Sequence, residues 1–373
     1  MVTEAFWKGK RVLITGHTGF KGSWLSLWLK MLGAEVIGYS LSAPTIPNLY
    51  ELAGVEKGMI SIKGDIRDLN HLRKVIETHR PEVVFHLAAQ SLVRRSYQDP
   101  IETYFTNVMG TVYLLEAVRR AGNPGAVINV TSDKCYENKE WLWGYREDDP
   151  MGGFDPYSSS KGCSEIITAA FRNSFFHPQR FDHHGIALAS VRAGNVIGGG
   201  DWAQDRLLPD IMKALLEKRS FRIRSPQAVR PWQHVLEPLS GYLILAEKLY
   251  TNGPEYAESW NFGPSDGDIK TVSWIVEYIG QRWGQGIRYE LDNARHPHEA
   301  NYLKLDYSKA KMRLGWTPRL SIEQALELTL DWYRAYQSDP SSVCKLTESQ
   351  INHYHSLVVR TWETNNAVFV LSH

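Results

Sequence analysis

Lys10-Arg-Val-Leu-Ile-Thr15, a short apolar run of β-forming residues, leads straight into Gly16-His-Thr-Gly19-Phe-Lys-Gly22. A helical apolar pattern through Trp24, Leu25, Leu27, Trp28 and Leu32 follows. Strand, glycine turn and helix in this order commit the chain to opening as a β–α unit. The glycines let the backbone turn tightly and approach a pyrophosphate, whose charge the N–H groups of the helix N-terminus would stabilise. Glycine turns also arise for steric reasons alone. The correct flanking elements favour the dinucleotide reading, with Gly16, Thr18, Gly19, Phe20, Lys21 and Gly22 as candidate cofactor contacts.

Further short strands are expected at Glu35 to Ser40, Met59 to Lys63, Glu82 to His86, Ala126 to Val130 and Ile186 to Arg192, separated by helix-length segments such as Asp68 to His79 and Thr111 to Ala121. This alternation predicts an α/β protein with a Rossmann-type, doubly wound parallel sheet, joined by a smaller mixed α/β substrate-binding domain. The expected division is 1–191 with 230–262 for the nucleotide cofactor, and 192–229 with 263–338 for the substrate. Residues 339–373, where the pattern fades, are expected to form a C-terminal extension.

The chain has 373 residues, 43% of them hydrophobic, enough for a large core. Forty-two Lys plus Arg against forty-one Asp plus Glu leave a net charge of +1, which argues against nucleic-acid or membrane-surface partners. Met1 to Lys10 has no signal-peptide core and no apolar run is of spanning length, so a cytoplasmic protein is expected. Cys135, Cys163 and Cys344 are too scattered for a disulfide framework or zinc site, and His183-His184 reads as a solvated pair, so no metal is expected. Trp274, Trp283, Trp316 and Trp332 sit at helical positions among apolar neighbours and are expected in the core.

Where the second strand ends, an acid would bind the adenosine ribose of NAD, and an Arg would favour NADP. Ser40 stands there instead. With no cation beside it in sequence, NAD is the expected cofactor. Asp65 and Ile66 would meet the adenine edge. Leu87, Ala88 and Ala89 end the fourth strand with residues small enough for a cofactor to lie close, or for ordinary packing; Thr106 completes the set.

Thr131-Ser-Asp-Lys134 precedes Tyr157-x-x-x-Lys161 by fewer than thirty residues. Four-residue spacing on a helix puts Tyr157 and Lys161 on one face, where the ammonium would lower the phenol's pKa and make it a base. Alone the pair is a common pattern. Beside Ser132, Asp133 and Lys134 it becomes a proton acceptor, a hydroxyl donor and a further acid–base pair.

Gly16-x-x-Gly19-x-x-Gly22, His86-Leu-Ala-Ala89, Asn107-x-x-Gly110-Thr111 and Tyr157-x-x-x-Lys161, in this order, resemble the extended short-chain dehydrogenase/reductases over about residues 8 to 335. Within that superfamily Thr131-Ser-Asp-Lys-Cys-Tyr136 is similar to the nucleotide-sugar 4,6-dehydratases. The resemblance implies C4 oxidation by Tyr157, Ser132 and Lys161, with Tyr157 and Lys161 also touching NAD. Lys134 would then take the C5 proton, or act as an electrostatic helper, and Asp133 would protonate the leaving C6 hydroxyl. Lysine at 134 is similar to the dehydratases of CDP-D-glucose, so that sugar nucleotide is the expected substrate.

Resemblance also implies substrate contacts from Gln90, Ser132, Asn195, Arg206, Arg230 and His298, with Arg192 either a phosphate contact or a structural residue. It further implies a homo-oligomer, a dimer or dimer of dimers, built on helices from Pro100 to Ala121 and Tyr157 to Phe176, and a place in deoxysugar and O-antigen biosynthesis. Competing readings are another nucleotide-sugar dehydratase, a 4-epimerase, or a nucleotide-sensing module without turnover.

Overall fold

The computed structural model describes residues 2–284, 288–292 and 302–370. Its centre is a seven-stranded sheet of β1 (Arg11–Thr15), β2 (Glu35–Ser40), β3 (Ile60–Lys63), β4 (Val83–His86), β5 (Ala126–Val130), β6 (Ala187–Ala193) and a last strand, Ser259–Phe262. All neighbours are parallel, in the order last strand, β6, β5, β4, β1, β2, β3. The chain therefore winds outward from β1 in one direction and from β4 in the other. The crevice beyond the carboxyl ends of these two strands is where such sheets bind ligands.

Parallel strands covered by helices on both faces must be apolar throughout. β4, β5 and β6 are buried along their whole length. One hydrophobic cluster, containing Val12, Ile14, Trp24, Trp28, Phe85 and Ile128, fills one side of the sheet; Leu13, Ile37, Val84, Leu114 and Val127 fill the other. Successive strand residues alternate between the two, as the pleat requires. Trp316 and Trp332 are in the core, and Trp274 and Trp283 pack against it.

Three features depart from the sequence reading. The seventh strand, Ser259–Phe262, extends the sheet beyond β6. The helix expected from Pro100 to Ala121 is continuous but widens into one π turn at Phe105–Met109, between Pro100–Tyr104 and Gly110–Ala121. Residues 343–370 form one long helix, and Val343, Ile351, Tyr354 and Val358 on it are buried in the main core, with Tyr354 edge-on to Trp28 at 5.8 Å. The apolar spacing that carries this docking is present in the sequence, so the segment begins as core and not as an extension.

Over the crevice lie small paired strands, Asn195–Ile197 with Trp232–His234, Phe221–Ile223 with Tyr289–Leu291, and Val229–Arg230 with Lys270–Thr271, together with the helices Leu207–Leu216 and Val272–Trp283. Among the described residues no helix is long and apolar enough to cross a membrane, and no His, Cys, Asp or Glu cluster could hold a metal ion. His184 accepts the Ile186 N–H at 3.0 Å and so caps a local turn. The three cysteines are unpaired.

Candidate active site

A cleft of about 1170 Å³ opens at the carboxyl ends of the strands. Gly16, Thr18, Gly19, Phe20, Lys21, Gly22, Ser40, Asp65, Ile66, Leu87, Ala88, Ala89 and Thr106 all line it. Two glycines are required by contact. Gly16 has φ +79°, and a Cβ there would sit 2.7 Å from the Ala88 nitrogen; a Cβ on Gly22 would sit 2.2 Å from the Gly16 carbonyl oxygen. The helix Phe20–Met31 starts at Gly19 with no side chain capping its first turn, which leaves its amides to a ligand. This cradle fits the pyrophosphate of a dinucleotide.

At the far end Ser40 shares a hydrogen bond with Thr18 at 2.8 Å. Arg67 also reaches this part of the cleft, a cation that proximity in sequence to Ser40 did not reveal. Its Nε lies 2.9 and 3.0 Å from the two Asp65 oxygens, and its Nη2 2.6 Å from the second, so one edge of its guanidinium is committed to Asp65.

β5 ends at Val130, and a tight turn at Asp133–Cys135 follows, with Ser132 as its N-cap. The Ser132 hydroxyl accepts the Lys134 N–H at 3.3 Å and donates to Asp133 Oδ1 at 3.0 Å. Asp133 is 2% exposed, and its Oδ2 has no hydrogen-bond partner among the described residues. Burial raises its carboxyl pKa, against the pull of Lys134, the Ser132 hydrogen bond, Lys21 and Arg230. A proton-donating role needs that direction.

Tyr157 opens the helix Pro156–Ser174, whose N-terminus Asp155 caps by accepting the Ser158 N–H at 2.9 Å. Lys161, one turn on, donates to the Val130 carbonyl at 3.3 Å. Both residues are buried and line the cleft with Ser132, Asp133 and Lys134. The expected lowering of the phenol pKa is not what this arrangement produces. Burial pushes Tyr157 up to about 12, although the Ser132 hydrogen bond and Arg206 oppose it, and pushes Lys161 down to about 8. Burial likewise pushes Lys21 down to about 7, helped by Arg206 and Lys161. Desolvation is the largest cause of both the Tyr157 and the Lys161 shift, because both groups are buried in the cleft wall.

Asn195, Arg206 and Arg230 line the opposite wall. Arg206 is held by Asp201 and Ser91, each at 3.1 Å, and Arg230 donates to the Val229 carbonyl at 2.9 Å. Gln90 also lines the wall, but its carboxamide is taken up locally. It accepts the Leu92 N–H at 2.6 Å and donates to the Leu92 carbonyl at 3.1 Å and to Thr103 at 2.9 Å. His298 lies outside the described residues. Arg192 is structural: it is buried behind the site, 2.9 Å from Glu165. Glu165, four residues beyond Lys161, is the buried charge that the sequence reading passed over.

A glycine cradle for a dinucleotide and a Ser–Tyr–Lys group in one cleft define an oxidoreductase-type site on a Rossmann sheet. Residues 13–329 match the model of the GDP-mannose 4,6 dehydratase family, and the chain belongs to that family. It is 56% identical over 361 residues to the CDP-glucose 4,6-dehydratase of Salmonella typhimurium, covering 96% of this chain and 100% of that one. A dTDP-glucose 4,6-dehydratase of Xanthomonas campestris is 29% identical, covering 87% and 93%. Among solved structures, DesIV, a dTDP-glucose 4,6-dehydratase from Streptomyces venezuelae with NAD bound, is 26% identical with TM-score 0.74, covering 88% of this chain and 98% of that one. UDP-glucose 4-epimerase from Thermotoga maritima is 25% identical with TM-score 0.74, covering 87% and 98%.

Proposed function

We propose that this protein dehydrates CDP-D-glucose to CDP-4-dehydro-6-deoxy-D-glucose, using NAD. The observation that carries the reading is one cleft in which the turn Ser132-Asp133-Lys134 faces Tyr157 and Lys161, on a chain 56% identical to a CDP-glucose 4,6-dehydratase. An epimerase has no use for a buried acid beside the serine. That favours elimination over simple C4 oxidation.

The C6 hydroxyl leaves only if the C5 proton is acidic, and C5–H becomes acidic only beside a C4 ketone, so oxidation comes first. NAD, when bound, supplies the acceptor for the C4 hydride and its return to C6. Tyr157 would take the C4 hydroxyl proton as its phenolate, which the positive charge of bound NAD and Lys161 would favour against the burial that raises its pKa. Ser132 hydrogen-bonds the same oxygen, and Lys161 holds the phenol and the cofactor ribose. Lys134 removes the C5 proton and, as hydride returns to C6, gives a proton back to C5. Asp133, whose carboxyl pKa burial raises, gives a proton to the departing C6 oxygen. Asn195, Arg206 and Arg230 bind the diphosphate, Arg206 and Arg230 through guanidinium forks suited to it.

Residues 1–191 with 230–262 serve as the cofactor half, and 192–229 with 263–338 as the sugar-nucleotide half. A product with a keto group and one hydroxyl fewer fits a role at the start of deoxysugar biosynthesis, and the family resemblance supports O-antigen as the destination. The exposed Ile101, Tyr104, Phe105 and Ile166 fit pairing of these helices in a cytoplasmic homo-oligomer. Purified chain incubated separately with CDP-, dTDP- and UDP-glucose and GDP-mannose should develop the ultraviolet absorbance of a 4-ketosugar in base only, or fastest, with CDP-glucose. Equal or faster reaction with another sugar nucleotide would overturn the substrate, and no absorbance with any would overturn the reaction.

A further inference from the structure

Thr131 and Tyr136 flank the turn that carries Ser132, Asp133 and Lys134, and each is tied to one half of a buried ion pair. Thr131 Oγ1 donates to Glu165 Oε1. Glu165 Oε2 accepts from Arg192 Nη2 at 2.9 Å and from Ser190 at 2.6 Å. Arg192 Nη1 donates to the Tyr136 hydroxyl at 2.6 Å and to the Glu147 carbonyl at 2.9 Å, and its guanidinium lies 4.9 Å over the Tyr136 ring. The Tyr136 hydroxyl donates onward to Asn261 at 2.7 Å.

Both charges of this pair are 3% exposed. A buried ion pair gains little net stability over apolar packing, because desolvation costs about what attraction returns. What it does supply is fixed direction, since the guanidinium fork and the carboxylate allow only narrow geometry. Burial alone would raise the Glu165 carboxyl, but Arg192 and the hydrogen bonds from Arg192, Ser190 and Thr131 hold it below the usual range, so it stays an anion. Among the described residues the Asp133 carboxyl accepts a single hydrogen bond, from its neighbour Ser132, so its aim depends on the backbone of the turn.

We propose that the Glu165–Arg192 pair is a positioning clamp that grips both ends of the Ser132–Cys135 turn and so aims Asp133 and Lys134 at the substrate for elimination. Glu165 stands one helical turn beyond Lys161, on the helix that carries Tyr157, so the same clamp sets the turn's distance from the oxidising residues. Neither Glu165 nor Arg192 lines the cleft. They act through Thr131 and Tyr136. The inference rests on the dehydratase reading for its catalytic consequence, but not for its mechanical one.

Because removing either charge outright leaves the other buried and alone, the test uses Thr131→Val and Tyr136→Phe, which cut one tie each and leave the ion pair whole. Each should lower kcat on CDP-glucose by roughly 10- to 100-fold, the scale of a small misplacement of reacting groups, with KM and NAD affinity within about twofold. NADH should still form in a single turnover. The double variant should lose less than the product of the two single losses, because both ties serve one clamp. Turnover within about twofold of the parent in both single variants, or oxidation and elimination falling together with the folded fraction, would overturn the clamp. A second readout does not depend on substrate: amide hydrogen exchange at 132–135 in the full chain should speed up in Thr131→Val while the sheet stays protected. Unchanged exchange there overturns the clamp even if the parent proves inactive on CDP-glucose, a result that would separately sink the dehydratase reading.

Discussion

Tyr354 donates its phenolic hydrogen to Glu237 Oε2 at 2.6 Å, and this contact fastens the C-terminal helix to the helix Leu236–Asn252 beside the sheet. The other Glu237 oxygen accepts the N–H groups of Arg319 and Leu320 at 2.9 and 2.7 Å. One buried carboxyl thus joins three segments far apart in sequence.

Burial pushes the Glu237 carboxyl up to about 7 from an ordinary value of 4.5, despite those hydrogen bonds. Below the ordinary value both folded and unfolded chains hold the proton, and the neutral buried acid contributes fully. As pH rises toward the folded value the unfolded chain sheds its proton first, so stability is lost across that interval. Glu237→Gln is neutral throughout. Its stability relative to the parent should therefore improve by roughly 2–3 kcal/mol between pH 4.5 and pH 8, read from thermal or urea unfolding at both ends. A constant difference would mean that the Glu237 carboxyl has the same pKa in the folded and unfolded chains.

Asp65 occupies one edge of the Arg67 guanidinium and offsets its charge in the cleft. Asp65→Asn should loosen that fork and improve NADP binding relative to NAD by roughly tenfold, the worth of one charge-assisted contact, measured by calorimetry. If the NADP-to-NAD ratio does not move, Arg67 cannot reach the adenosine ribose and cofactor choice lies elsewhere.

Oxidation and elimination use different residues, so variants should stop at different points. Tyr157→Phe should lower turnover by roughly 10²–10⁴-fold and form no NADH on mixing with substrate. Lys134→Ala and Asp133→Asn should form NADH and stall there, the first for want of the C5 base and the second for want of a proton on a group of the same shape. Failure of Lys134→Ala to form any NADH would assign Lys134 to binding or oxidation.

What was legible in the sequence was local. Gly16 to Gly22 and Tyr157 with Lys161 each lie within one turn or one helix, and Ser132 to Lys134 within one turn, so spacing alone sets their relations. Gln90 and Arg67 were opaque because side-chain partners decide them: Gln90 is spent on Leu92 and Thr103, and Arg67 on Asp65. The phenol pKa of Tyr157 was misjudged for the same reason, since a pairwise Tyr–Lys attraction is visible in a sequence and the depth of burial is not. Val343, Ile351, Tyr354 and Val358 carried a helical apolar pattern, but their partners Trp28 and Glu237 lie hundreds or scores of residues away.

The turn, Tyr157 and Lys161 surround one cleft, and the proposed chemistry needs no second substrate, so the hydride leaving C4 should return to C6 of the same molecule. CDP-glucose deuterated at C4, mixed with an equal amount of undeuterated, carbon-13-marked substrate, should give deuterium at C6 only in molecules without the carbon-13 mark. The hydrogen at C5 should exchange with solvent, because Lys134 removes it as a proton. Mass spectrometry of the product separates the cases. Deuterium in the carbon-13 product would mean that reduced cofactor escapes between the half-reactions, and deuterium retained at C4 would mean that Tyr157 never opens the sequence and that elimination proceeds by another route.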